Sequence, residues 1–384
     1  MNNNMEIYLD NAATSKLDPE ARKAMLLCQD LEMMNASSPH KLGVKAAKAI
    51  EKARAIIAQK INAYPKEIIF TSGGTESNNL AIKGIAFANI KRGNHIITSK
   101  IEHPSVLEAT KWLKKHGFEI TYLPVDKEGF VDSIYLERAI KKETILVSVI
   151  HGNNEIGTIE PIYEIGSICR KRGVYFHIDA CQSFTKTDLD VKEHNLDLVT
   201  LNAHKIHGPK GVGALYIKEG VRFDPLLHGG GQERGFRSGT YNTEGIVGFG
   251  RAVETTDEGD IKKMTELRDY FIQKVQDSVT GVTLNGPRDN RLCSNINLRF
   301  NSVSGQKLTR ELSERNIFVS AGSACASTRS IPSHVLLAIG LEPELAERGV
   351  RFSLSKFTTI KELNLVVENI IEIVQKEKGV LCPG

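Results

Sequence analysis

From residue 67 onward, short apolar and β-branched runs alternate with longer segments whose apolar positions recur every three or four residues. The short runs are EIIF (67–70), HIITS (95–99), FEITYL (118–123), TILVSVI (144–150), VYFHID (174–179), LDLVTL (196–201) and GALYI (213–217). Helix-period segments of about 10 to 15 residues separate most of them, which predicts an α/β chain whose mostly parallel sheet is covered by helices on both faces. Sheets of this kind bind ligands beyond the carboxyl ends of their strands. The residues just after each run are therefore where chemistry is expected.

Two stretches read differently. Asp18-Pro19-Glu20 gives an N-cap, a first-turn proline and a first-turn acid, so a helix opens there. Pro104 opens another, and the pattern from Thr75 to Ala88 a third. Beyond residue 255, Leu267, Phe271, Val275 and Val279 form one face of a long helix. Thr359 and Glu362 have capping-box spacing ahead of a stripe of Leu363, Val366, Ile370 and Val374. These features predict a large domain over 15–255 and a smaller α/β domain formed by 1–14 and 256–384.

Composition narrows the picture only a little. The 384 residues include 50 Lys and Arg against 46 Asp and Glu, a net charge of +4 without long like-charged blocks. Neither nucleic acid nor a membrane is an expected partner. MNNNMEIYLD has no basic and apolar leader pattern, and no apolar run approaches the roughly 18 residues of a membrane span. Cysteines 28, 169, 181, 293, 325 and 382 form no CxxC pair, so neither a disulfide framework nor a metal site is expected. Reduced thiols in a cytoplasmic protein are the expectation.

Four post-strand segments carry unusual chemistry. SGGTES (72–77) follows a run and opens a helix, where backbone amides and the helix dipole attract a phosphate, although it lacks the lysine of a Walker loop. HIDACQ (177–182) puts Asp179 at the end of an apolar strand, where a buried carboxylate needs a partner such as a protonated pyridine nitrogen. NAHKIHGPKG (202–211) puts Lys205 at another strand mouth, where an amine is suited to a Schiff base, with Lys210 as a competitor. HGGGQERGFRSGT (228–240) is too rich in glycine for a regular element and offers donors to an anion. Each has an ordinary reading, as a turn, a capping acid or a surface lysine. A phosphate cradle, an acid and an amine in this order together describe pyridoxal 5'-phosphate.

These residues, with YLDNAAT (8–14), SSPHKLG (37–43), FTSGGTESNNLAIKG (70–84), EHPSV (102–106), HGNNEIGTIEPI (151–162), SAGSACAS (320–327) and VRFSLS (350–355), resemble the NifS/IscS class of cysteine desulfurases nearly end to end. The resemblance implies the aspartate-aminotransferase-like fold, type I, and the conversion of L-cysteine to L-alanine. It makes Lys205 the cofactor lysine and His103 an imidazole stacked on the ring. Asp179 falls to the ring nitrogen and Gln182 to the phenolic oxygen. Gly74, Thr75 and His204 fall to the phosphate, with Thr240 supplied by the partner of a homodimer. Asn202 stands where the family usually has serine and could still donate through its amide. Asn154 is implied in contact with cofactor or substrate, and Arg351 with the substrate carboxylate, a planar anion that a guanidinium suits. Cys325 is implied as the thiol that takes sulfur as a persulfide and passes it to an acceptor protein, such as an iron–sulfur scaffold. Its loop resembles the branch of the family in which that loop is long. An aminotransferase or selenocysteine lyase would share Lys205 without needing Cys325.

Overall fold

The computed structural model describes residues 6–321, 332–377 and 379. Its centre is a seven-stranded sheet in the spatial order Ile68–Thr71, Gly213–Ile217, Leu198–Asn202, Tyr175–Asp179, Thr144–Ile150, His95–Ser99, Glu119–Leu123. All seven predicted runs are present, three with the same ends and four with ends shifted by one or two residues. Six strands run in one direction, and Gly213–Ile217 is antiparallel to both neighbours. The reason is length. Only residues 203–212 join Leu198–Asn202 to Gly213–Ile217, and a parallel crossover needs a dozen or more residues. The short return also places Lys205 in a tight loop at the strand mouth.

Successive side chains on a strand point to opposite faces, and the core divides accordingly. Ile68, Phe70, Ile97, Val147, Val149, Val199 and Leu201 pack into one apolar cluster. Their neighbours Ile69, Ile96, Leu146 and Leu198 pack into another, with the helices Gly74–Ala88 and Pro104–Lys115. The continuous apolar runs thus reflect burial on both faces. Asp18 caps the helix Pro19–Asp30 by accepting from the Glu20 amide at 2.7 Å.

A third cluster joins Ile7 and Leu9 to residues between Leu267 and Val374. It packs the helices Glu258–Ser278 and Ile360–Glu377 against an antiparallel sheet of Val282–Leu284, Asn295–Phe300 and Gly349–Ser353. Ile7–Tyr8 pairs in parallel with Ile317–Phe318. The Thr359 amide donates to Glu362 at 2.7 Å and the Glu362 amide to the Thr359 hydroxyl at 3.3 Å, completing the capping box. Val279 lies just past its helix as the C-cap. No helix among the described residues is long and apolar enough to cross a membrane.

Candidate active site

The carboxyl ends of the central strands open into a cavity of about 270 Å³, near the lower end of the roughly 300–1,000 Å³ usual for small-molecule sites. Nine residues expected from sequence line it. Lys205, His204 and Asn202 come from the short return loop and its strand, and Asp179 and Gln182 from the end of Tyr175–Asp179. Gly74 and Thr75 begin a helix, His103 caps another, and Asn154 follows Thr144–Ile150. Of the two candidate lysines Lys205 lines the cavity, whereas Lys210 is exposed and lies off its wall.

Asp179 is buried, and burial alone would push its carboxyl up. The His103 imidazole, the Cys181 amide at 2.9 Å and the Asn78 amide at 2.7 Å outweigh that and hold it below its ordinary value. A buried anion therefore faces the cavity. Asn78 also donates to the Ser105 hydroxyl at 2.8 Å, which turns its own hydrogen to Nδ1 of His103 at 2.7 Å. The Ser105 amide donates to the same Nδ1 at 3.1 Å. Nδ1 is thus an acceptor, and the neutral ring carries its proton on Nε2. Burial lowers the His103 pKa and favours that neutral form. Asn78, Ser105 and Cys181 line the cavity without having been singled out from sequence. A polar helical residue one turn past a glycine pair was the available signal for Asn78.

Residues 12–15, which follow Ile7–Tyr8, brace the lysine loop. The carbonyl of His204 accepts from the amide and hydroxyl of Ser15, both at 2.8 Å. The His207 amide donates to the Ser15 hydroxyl at 2.8 Å. Nδ1 of His204 lies 3.1 Å from the Thr14 hydroxyl, and burial with the charges of Lys205, Lys210 and Lys186 pushes its pKa down to about 4. Gln182 donates to the carbonyl of Ala12 at 2.8 Å.

The remaining expected residues lie elsewhere. Arg351 is 2% exposed and off the cavity wall. Its Nη2 donates to Asp10 at 2.8 Å and its Nη1 to the carbonyl of Asn154 at 3.2 Å, while the buried Nε has no partner among the described residues. Thr240 is exposed beside a separate cavity of about 80 Å³. Cys325 lies outside the described residues.

The wall fits pyridoxal phosphate on its own chemistry. An ionised buried carboxylate suits a protonated ring nitrogen, and the helix starting at Gly74 presents first-turn amides to an anion. Gly73, at φ 150°, adopts a backbone that side-chain-bearing residues rarely reach. The buried Oδ1 atoms of Asn78 and Asn202 have no protein partner among the described residues.

A family model described as aminotransferase class-V matches residues 7–366. Over 374 residues the chain is 50% identical to the cysteine desulfurase IscS of Dictyoglomus turgidum, covering 97% of this chain and 95% of that protein. Among solved structures, a NifS-like protein superposes with a TM-score of 0.91 at 36% identity, over 97% of this chain and 100% of that one. SspA in complex with cysteine matches with a TM-score of 0.83 at 40% identity, over 92% and 100%.

Proposed function

The chain belongs to the class-V aminotransferase family and, within it, to the cysteine desulfurases, and from that membership we propose how its own residues carry out desulfuration with pyridoxal phosphate. The convergence of Lys205, Asp179, His103 and the Gly74 helix terminus on one cavity carries the reading.

When bound, the cofactor supplies an electron sink for the bond electrons released at the substrate's Cα. Lys205 would hold it through Nζ and would move the substrate's α-proton. Asp179 keeps the ring nitrogen protonated. Gln182 would hydrogen-bond the phenolic oxygen, and His103 would lie against the ring and offer a proton at Nε2. Gly74, Thr75, His204 and the Asn202 amide take the phosphate. Arg351 takes the substrate carboxylate beside Asn154, exchanging its contact with Asp10. The Cys325 thiolate forms a bond to the cysteine sulfur while the carbon–sulfur bond breaks. That electron pair stays with carbon, which gains a proton, so the products are alanine and an enzyme persulfide. An acceptor protein, such as an iron–sulfur scaffold in the cytoplasm, then takes the sulfur.

The segregated apolar clusters support reading 15–255 as the cofactor-binding domain and 1–14 with 256–384 as the smaller one. In a homodimer the exposed Thr240 would reach the partner's phosphate site. Mass spectrometry of the purified holoenzyme after L-cysteine tests the proposal, with one added sulfur expected on Cys325 and stoichiometric alanine. Lys205→Ala should abolish turnover. Cys325→Ser should bind cysteine and form no persulfide, and sulfur found on Cys28, Cys169, Cys181, Cys293 or Cys382 would overturn the assignment.

A further inference from the structure

The sequence places Cys325 between two segments, one fastened to Arg351 and the other to residues next to the cavity wall. Upstream, Ser320 forms an antiparallel bridge with Arg351, its amide donating to the Arg351 carbonyl at 3.1 Å and its carbonyl accepting from the Arg351 amide at 2.7 Å. Downstream, the Ser333 hydroxyl donates to Oε2 of Glu155 at 2.5 Å. Nε2 of His334 donates to the carbonyl of Glu102 at 2.9 Å. Ser333 also caps the helix His334–Ala338, accepting from the Leu336 amide at 3.2 Å.

The downstream fastening reaches the wall directly. Glu155 follows Asn154 and Glu102 precedes His103, both wall residues. Asn153 ties the two segments together. Its Nδ2 donates to the Ile101 carbonyl at 2.9 Å, and its Oδ1 accepts from the amides of Glu155 at 2.9 Å and Ile156 at 3.0 Å. Val335 and Leu336 pack with Ile101, Ile150 and Ile156 in a small apolar cluster of their own, and Ile150 lines the cavity.

We propose that Glu155, Ser333 and His334 are positioning residues that anchor the downstream end of the Cys325 segment and so set the effective concentration of its thiol at the reacting sulfur. This rests on the reading of Cys325 as the sulfur acceptor. A tethered group is concentrated by the fixed positions of its two ends, and lengthening the tether dilutes it. Cys325 is five residues beyond Ser320, a reach of at most about 17 Å. Freeing Ser333 and the helix behind it would leave the upstream limit alone and relax the other. Sulfur transfer would suffer, whereas cysteine binding, which does not use the tether, would not.

The test follows both steps in the holoenzyme mixed with L-cysteine. Stopped-flow absorbance of the cofactor reports cysteine binding, and rapid quench with mass spectrometry reports persulfide on Cys325 during the first turnover. Ser333→Ala should slow persulfide formation about tenfold, the loss of one buried hydrogen bond. Ser333→Asp keeps a helix cap but sets a carboxylate against Glu155, and should be slower still. Ser333→Thr restores the hydroxyl and should lie within about twofold of the parent. The cysteine dependence of the absorbance change should be the same in all. A parental transfer rate in Ser333→Asp, or a parallel loss of cysteine binding, overturns the anchor. Cys325→Ser separates the two ideas. If it still accumulates sulfur, the Cys325 reading fails and the anchor with it; if it does not, a normal Ser333→Asp condemns the anchor alone.

Discussion

Two groups of buried acids stand close together at the carboxyl edge of the sheet and carry opposite charge states. Asp179, facing the cavity, has a donor on each oxygen, the Cys181 amide on one and the Asn78 amide on the other, with His103 nearby. Its carboxyl is held below the ordinary range. Glu102 is as deeply buried, yet the Ser99 hydroxyl at 2.5 Å and the Ile150 amide at 2.9 Å both fall on Oε1, and Oε2 has no donor among the described residues. Burial, with the charge of Asp179, pushes Glu102 up to about 8. Among the described residues Glu160 has a single amide donor, from Val131 at 3.0 Å, and burial raises it well above its usual value. Burial is common to all three, so the number and placement of donors decides which acid stays charged. The ionised acid faces the cavity, and the neutral ones support its wall.

The largest expected effect comes from erasing the charged member. Asp179→Asn should lower turnover on the order of a hundredfold or more, as loss of a preorganised charge does, and should shift the absorbance of the bound cofactor. Retained turnover would mean that the charge is not used.

A smaller effect should follow from stripping one donor. Asn78→Ala lets the Asp179 carboxyl rise toward its ordinary value and releases Ser105 from its place beside His103. Turnover should fall about tenfold at neutral pH, and the acid limb of kcat/KM should move to higher pH. The sign is that of a depressed acid. Asp179 contributes stability above its unfolded pKa and loses it as pH falls through the lowered folded value. Acid unfolding of Asn78→Ala should therefore begin at higher pH, as circular dichroism would show.

The smallest effect should come from a neutral member. Glu102→Gln mimics a carboxyl that is already protonated, so turnover at neutral pH should stay within about fivefold of the parent. Stability is the sharper readout. A raised acid stabilises the fold below its unfolded value and loses that contribution as pH rises through the folded one, here from 4.5 to about 8. Tm of the parent should drift downward across that window, and Glu102→Gln should flatten the drift. An unchanged slope would place the titration elsewhere.

Most of the fold was legible from sequence because runs such as TILVSVI and LDLVTL are buried on both faces and so are apolar at most positions. The antiparallel strand was not anticipated, although the brevity of residues 203–212 held the clue. Within the site, position at a strand's end was enough to single out Asp179 and to narrow the amine to Lys205 or Lys210. Asn78 and Ser105 escaped notice because their importance lies in partners 101 and 27 positions away. The Asp10–Arg351 pair spans 341 positions and lies off the cavity wall, a placement that no local pattern encodes.

The chain by itself determined the elements, the order of the motifs and the kinds of functional group at each strand mouth, because hydrophobic periodicity and turn chemistry act over a few residues. Tertiary structure decided which lysine lines the cavity and which acids stay ionised. Charge inside a protein is set by the donors and charges that surround it, and here those arrive from distant segments brought together only by the sheet.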